Sequence, residues 1–204
     1  MVNMRGPMSA KKFFAIMALT AVIEAAVLSS TESFIKNGGS TGDGLEAESL
    51  QYVTYVLGKY RTGLGIKEEE RLAKVILGEA EAYDIDPVFV LAIIKTESAF
   101  YNWSRSVKGA VGLMQILPRT GKMVAEDLGL KWDGEGTLFN PYMNVKLGIH
   151  YFSYLRARHG NDTKKTLAAY NIGPISRDEY VPQAFANRVL ANYRELKERE
   201  GYLN

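Results

Sequence analysis

The sequence predicts an all-α fold. Apolar residues recur three and four apart in most segments after residue 45, the spacing of one helix face. Helix-start signals punctuate the chain at Asp86-Pro87, Pro118 and Asn140-Pro141, with glycine stops at Gly129 and Gly160. No run alternates in the manner of a strand, and no segment repeats. Helices packed on helices are the architecture such a chain can build.

The elements follow in order. Arg5, Lys11 and Lys12 precede an apolar run from Phe13 to Ile23, and small residues Ala25 to Ser30 follow Glu24. Basic, then apolar, then small is the order of a secretory signal, expected over residues 1–28. The run is short for a membrane span, and Glu24 weakens a retained anchor, the alternative that would give membrane contact. Residues 36–44 read KNGGSTGDG, a glycine-rich linker, so 29–45 is expected to be flexible and 46–204 to be the working domain. Within it, Leu50, Val53, Val56 and Leu57 predict a helix over 46–60. Leu72, Val75, Ile76 and Ala80 predict one over 68–83. Asp86 caps the next, with proline at its first position, running through Phe89, Val90, Ile93 and Ile94 to about Glu97. Further helices are expected from Pro118 to about Leu128, from Asn140-Pro141 to Gly160, from Asp162 or Thr163 to about Tyr170, and from Pro182 to about Lys197.

Composition narrows the function. The formal net charge is +2, so nothing demands nucleic acid as a partner. There is no cysteine, which excludes disulfides, thiolate metal sites and a lipid-modified cysteine. His150 and His159 stand nine apart on one helix with no carboxylate cluster beside them, so neither suggests a metal site.

Glu97 is the residue with chemical promise. It lies four after Ile93 and three after Ile94, so its carboxyl continues an apolar stripe. It also falls at the negative end of its helix dipole. Both features oppose ionisation, and a carboxylic acid still protonated near neutral pH is what glycosidic cleavage requires. Taken alone, a glutamate at a helix end could equally tip out to solvent. Its surroundings are ESAF at 97–100, GAVGLMQ at 109–115 and AAYNIGP at 168–174. Gly109 and Gly112 permit tight turns and close approach of a ligand. Met114 reads as a cleft wall, although methionine more often fills a core. Gln115 could present an amide to a polar substrate. Tyr170 and Asn171, before a Gly-Pro break, could both project into a cavity. Trp103, in the loop after Glu97, is the best of the aromatic residues for stacking on a sugar.

Together these blocks resemble the soluble-type lytic transglycosylases, a family related in fold to goose-type lysozyme. ESAF, Ser106 and GAVGLMQ run without gaps against the family's Glu-Ser, downstream serine and Gly-Leu-Met-Gln. NPYMNVKLGIHYFSYL is similar to its Asn-Ile-x-x-Gly-x-x-Tyr-Leu helix, and AAYNIGP to its Ala-Tyr-Asn block. YVPQAFANRVLANY is similar, less closely, to its closing helix. The resemblance covers about residues 66–196. It implies a lysozyme-like helical domain with a substrate cleft, Glu97 as the catalytic acid/base, and Ser106, Met114, Gln115, Tyr170 and Asn171 as residues around the glycan. The chain departs from the pattern at Asn102, where the family often has proline, at Trp103 and Arg105, which add bulk, and at Gly121, where alanine is usual.

The implied reaction cuts peptidoglycan between N-acetylmuramic acid and N-acetylglucosamine without water and leaves a 1,6-anhydro end. It needs one carboxyl and no cofactor or metal. A lysozyme-type hydrolase is the rival and would need a second acid. Asp84, Asp86, Glu126 and Asp127 lie at helix ends and read as caps or exposed charge. An inactive wall-binding domain is the other rival, and it would lack Glu97 or the Tyr-Asn pair. Protein partners and the biological process served are not legible.

Overall fold

A computed structural model describes residues 42–173 and 182–201. The expected export segment, most of the linker, Pro174, Tyr180 and Val181 lie outside the described residues. The chain divides into two units at Glu46. Of the first, only the start of a helix, residues 42–46, is described.

The described residues form seven α-helices and one 3-10 turn, with no strand among them. They are α1 (Gly42–Lys59), α2 (Ile66–Ala82), α3 (Pro87–Ser98), α4 (Pro118–Asp127), the 3-10 turn Glu135–Phe139, α5 (Pro141–Arg158), α6 (Thr163–Ile172) and α7 (Ala184–Gly201). The all-α expectation holds. Two boundaries differ. Gly42 to Gly44, expected as linker, already belong to α1, because glycine's poor propensity is a weak local prior that a following amphipathic segment overrides. α7 runs on to Gly201 rather than ending near Lys197.

Local chemistry explains the starts. The Asp86 carboxylate accepts from Val88 N at 2.8 Å, and Asn140 Oδ1 accepts from the amides of Tyr142 and Met143 at 3.1 Å. Each cap satisfies an amide that a first helical turn leaves open, and proline follows directly in both helices. Asp162 caps α6 in the same way, accepting from Lys165 N at 3.0 Å.

Two helices are buried nearly all round. In α3, Val88 and the run Val90 to Ile94 are inside; in α5, ten residues from Pro141 to Leu155 are inside. Helices without a polar face sit at the centre of a domain. α7 lies along α3, held by Lys95–Glu195 at 2.6 Å, by Asn192 Nδ2 donating to Thr96 Oγ1 at 2.9 Å, and by Tyr193 donating to Asp86 at 2.6 Å. Tyr52 on α1 donates to the Leu196 carbonyl on α7. At Gly121, where the family usually has alanine, a methyl group would lie 2.9 Å from the Trp132 ring. The missing side chain lets Trp132 pack on α4.

Candidate active site

Glu97 occupies the last turn of α3, where Ile93 and Ile94 below it are buried. Its side chain is partly buried. Burial pushes its pKa from the ordinary 4.5 up to about 8, while the Arg188 guanidinium on α7 pulls the other way. No hydrogen bond or ion pair reaches the carboxyl among the described residues, and no second carboxylate there perturbs it. Desolvation therefore dominates, and the neutral acid is the resting form around neutral pH.

The chain turns sharply after Glu97. Ala99 and Phe100 both take left-handed backbone, with φ of 49° and 67°. That conformation costs on the order of 1–3 kcal/mol for a side chain such as phenylalanine. The Phe100 ring offsets it by full burial against Tyr60, with centroids 4.4 Å apart.

The segment 104–116 then folds into a tight double turn. Val111 and Ile116 exchange both backbone hydrogen bonds at 3.0 Å, enclosing Gly112 to Gln115. Gly112 has φ of 82°, and a methyl there would lie 2.6 Å from the Leu138 carbonyl, so only glycine fits. Ser106 Oγ accepts from Ala110 N at 3.0 Å, which leaves its hydroxyl hydrogen available to a ligand. Gln115, at φ 49°, folds its amide back into the loop and donates to Ser104 O at 3.2 Å and Gly112 O at 2.9 Å. Its N–H side is occupied, so what it can offer outward is Oε1.

Met114 differs from the expectation. Its side chain is fully buried against Gly148 of α5, where a methyl group would lie 2.9 Å from Met114 Cβ. It is core, not a cleft wall, because Gly148 opens a socket for it. Its backbone still serves the site: the Met114 carbonyl accepts from the Tyr170 hydroxyl at 3.0 Å. Tyr170 is buried rather than projecting, and burial, then the nearby Glu97 charge, raises its pKa well above 10. Asn171, in the last turn of α6, is exposed, and its amide makes no hydrogen bond among the described residues. Glu97, Tyr170 and the 104–116 loop thus form one neighbourhood. Trp103 stands on a different support, against Gly63 and Phe139.

Sequence reading gave no role to Asn144 or Arg188. Asn144 is completely buried on α5; it accepts from Met114 N at 2.8 Å and donates to Val111 O and Leu138 O at 2.9 Å each. The signal available was a polar residue one turn before Gly148 on an otherwise apolar helix face. Arg188 carried no sequence signal, because its nearness to Glu97 comes from the packing of α7 on α3.

Residues 74–188, more than half of the chain, match the family model described as the transglycosylase SLT domain. The chain belongs to this family. Glu97, the double turn and Tyr170 all lie inside the matched SLT region. The chain is 36% identical over 92 residues to the soluble lytic murein transglycosylase of Salmonella typhimurium, covering 45% of this chain and 14% of that protein. It is 36% identical over 113 residues to membrane-bound lytic murein transglycosylase C of Histophilus somni, covering 51% and 31%. It therefore spans less than a third of either relative. An X-ray structure of an inactive mutant of lytic transglycosylase Slt from Pseudomonas aeruginosa superposes with a TM-score of 0.55 at 23% identity, over 62% of this chain and 24% of that one. That likeness shows a shared helical fold.

Proposed function

We propose that this SLT domain cleaves the bond between N-acetylmuramic acid and N-acetylglucosamine in peptidoglycan without water. The observation that carries this reading is Glu97: a partly buried carboxyl, with no second carboxylate perturbing it among the described residues, whose proton is held up to about pH 8. Glu97 donates its proton to the bridging oxygen as the C1–O bond breaks. The N-acetyl group of the same sugar assists at C1. The sugar's own 6-hydroxyl then attacks C1 and returns its proton to the Glu97 carboxylate, closing a 1,6-anhydro ring. The burial that held the first proton makes that carboxylate a competent base for the second. One group thus serves both half-steps, and neither metal nor nucleotide enters the scheme. The Asn171 amide, the Ser106 hydroxyl and Gln115 Oε1 are the polar groups suited to hold sugar substituents. Tyr170 braces the site through the Met114 carbonyl.

The products test it. Purified sacculi incubated with the protein, without added metal, should yield mainly 1,6-anhydro muropeptides, one water lighter than hydrolysis products and refractory to borohydride. An intramolecular hydroxyl has a large effective concentration once the ring is held. Predominantly reducible ends would instead make the protein a lysozyme-type hydrolase and require a second acid.

We further propose that residues 1–28 export the chain and that it works in the cell envelope. The basic-apolar-small order of that segment supports export, as does a substrate that lies outside the cytoplasm. Cell fractionation should recover the protein shortened by about this segment in the periplasm. Recovery of the full-length chain in the cytoplasm would refute export, and recovery in the membrane would favour a retained anchor.

A further inference from the structure

Past Glu97 the chain exposes two large rings side by side, Tyr101 at 47% and Trp103 at 51% exposure. Both rest on Gly63 in the connection between α1 and α2. Gly63 has φ of 75°, and a methyl there would lie 2.8 Å from Trp103 Cδ1 and 3.3 Å from Tyr101 Cε2. Phe139 of the 3-10 turn stacks on Trp103, with centroids 5.7 Å apart and planes at 27°. The indole N–H donates to the Gly63 carbonyl at 3.3 Å.

The loop that carries the rings is fixed to two neighbouring segments. Asn102 N donates to Thr62 O at 2.9 Å, Asn102 Nδ2 donates to Phe139 O at 2.9 Å, and Arg105 pairs with Glu135. Trp103 is therefore held with its polar edge already satisfied, one face supported by Phe139, and half of its surface left in water. A pre-oriented apolar face with no open hydrogen-bond demand suits one kind of contact: the C–H bonds of a pyranose lying on the negative face of the ring system. Trp103 lies six positions after Glu97, a reach of at most about 21 Å even if the chain were extended. The left-handed turn at Ala99 and Phe100 shortens it.

We propose that Tyr101 and Trp103 form an aromatic platform that takes the face of a sugar ring of the glycan strand, away from the bond that Glu97 cleaves. This rests on the reading of the site as a glycan-cleaving one. It assigns the platform to strand length: long strands engage both the cleavage site and the rings, while short fragments reach only the first.

The test uses the full chain. It has two tryptophans, so Trp132→Phe leaves Trp103 as the reporter, and Glu97→Gln prevents turnover. Titration with purified glycan strands should change the Trp103 emission saturably. Silent emission while the same protein pellets with sacculi would overturn the platform. In the active enzyme, Trp103→Ala should raise KM for long strands about tenfold with kcat little altered. The loss should shrink as the substrate is shortened, and Trp103→Phe should recover most of it. An equal loss at every length would overturn the proposal, and so would a change in sedimentation without a change in KM, which would mark a self-association face. A responsive Trp103 in a protein that yields no anhydro product would sink the proposed reaction and spare the platform; anhydro product with a silent Trp103 would do the reverse.

Discussion

Glu97→Gln is expected to lower peptidoglycan cleavage by about three orders of magnitude while making the protein harder to unfold above pH 5. The first effect follows from the chemistry, since an amide of the same shape cannot give and take a proton. The second follows from burial. In the unfolded chain the carboxyl titrates near 4.5, and in the fold it is pushed up to about 8. Below pH 4.5 both states hold the proton and the carboxyl makes no difference. As pH rises through that value the unfolded state ionises and gains while the folded state does not, so stability falls until about pH 8 and then levels. The amide variant escapes this loss. The difference at pH 8 and above is on the order of 5 kcal/mol, or roughly 10–20 °C in Tm for a chain of this size. Melting curves of both proteins at pH 4, 7 and 9 check it. Identical Tm values at pH 9 would mean that the carboxyl is well hydrated.

The same titration shapes activity. The acid form is required, so turnover should hold through neutrality and decline as pH rises through about 8. Arg188 works against this by favouring the ionised form. Under the proposed reaction, the site keeps a destabilising carboxyl for its reactivity, a common conflict between function and stability.

What the sequence made legible was local. Asp86-Pro87, Pro118 and Asn140-Pro141 locate helix starts because a proline at the first helical position, joined at Asp86 and Asn140 by a capping side chain, acts within one turn. Glu97 was legible because helical periodicity puts it above Ile93 and Ile94. The 3-10 turn Glu135–Phe139 was not foreseen: five residues carry no periodic signal, and its position is set by Leu138, buried beneath it. Side-chain direction in the Gly-Leu-Met-Gln segment was not legible either. Whether Met114 faces a cleft or the core depends on Gly148, which lies 34 residues further on. Gln115 points its amide inward because its own backbone is left-handed, which no composition rule demands of glutamine.

Asn144 carries the second large expectation. Asn144→Ala should destabilise the fold by roughly 3–5 kcal/mol and lower kcat about tenfold at a temperature where the variant is still folded. One buried amide joins three segments: it accepts from Met114 N and donates to the carbonyls of Val111 and Leu138. Truncation leaves one N–H and two C=O groups inside the protein without partners, each costing on the order of 1–3 kcal/mol unless water enters. The cavity is small, so the polar loss outweighs the packing loss. The effect on catalysis runs through the backbone. Released from Asn144, Met114 no longer holds its carbonyl where the Tyr170 hydroxyl donates to it, and Tyr170 packs close enough to Glu97 for their charges to interact. The pH profile separates this from simple loss of folded protein. If Tyr170 shifts and water reaches Glu97, the alkaline limb of activity should move to lower pH, toward the ordinary carboxyl range. A variant that melts like wild type, or that loses kcat with an unmoved alkaline limb, would show that Asn144 does not set the environment of the acid.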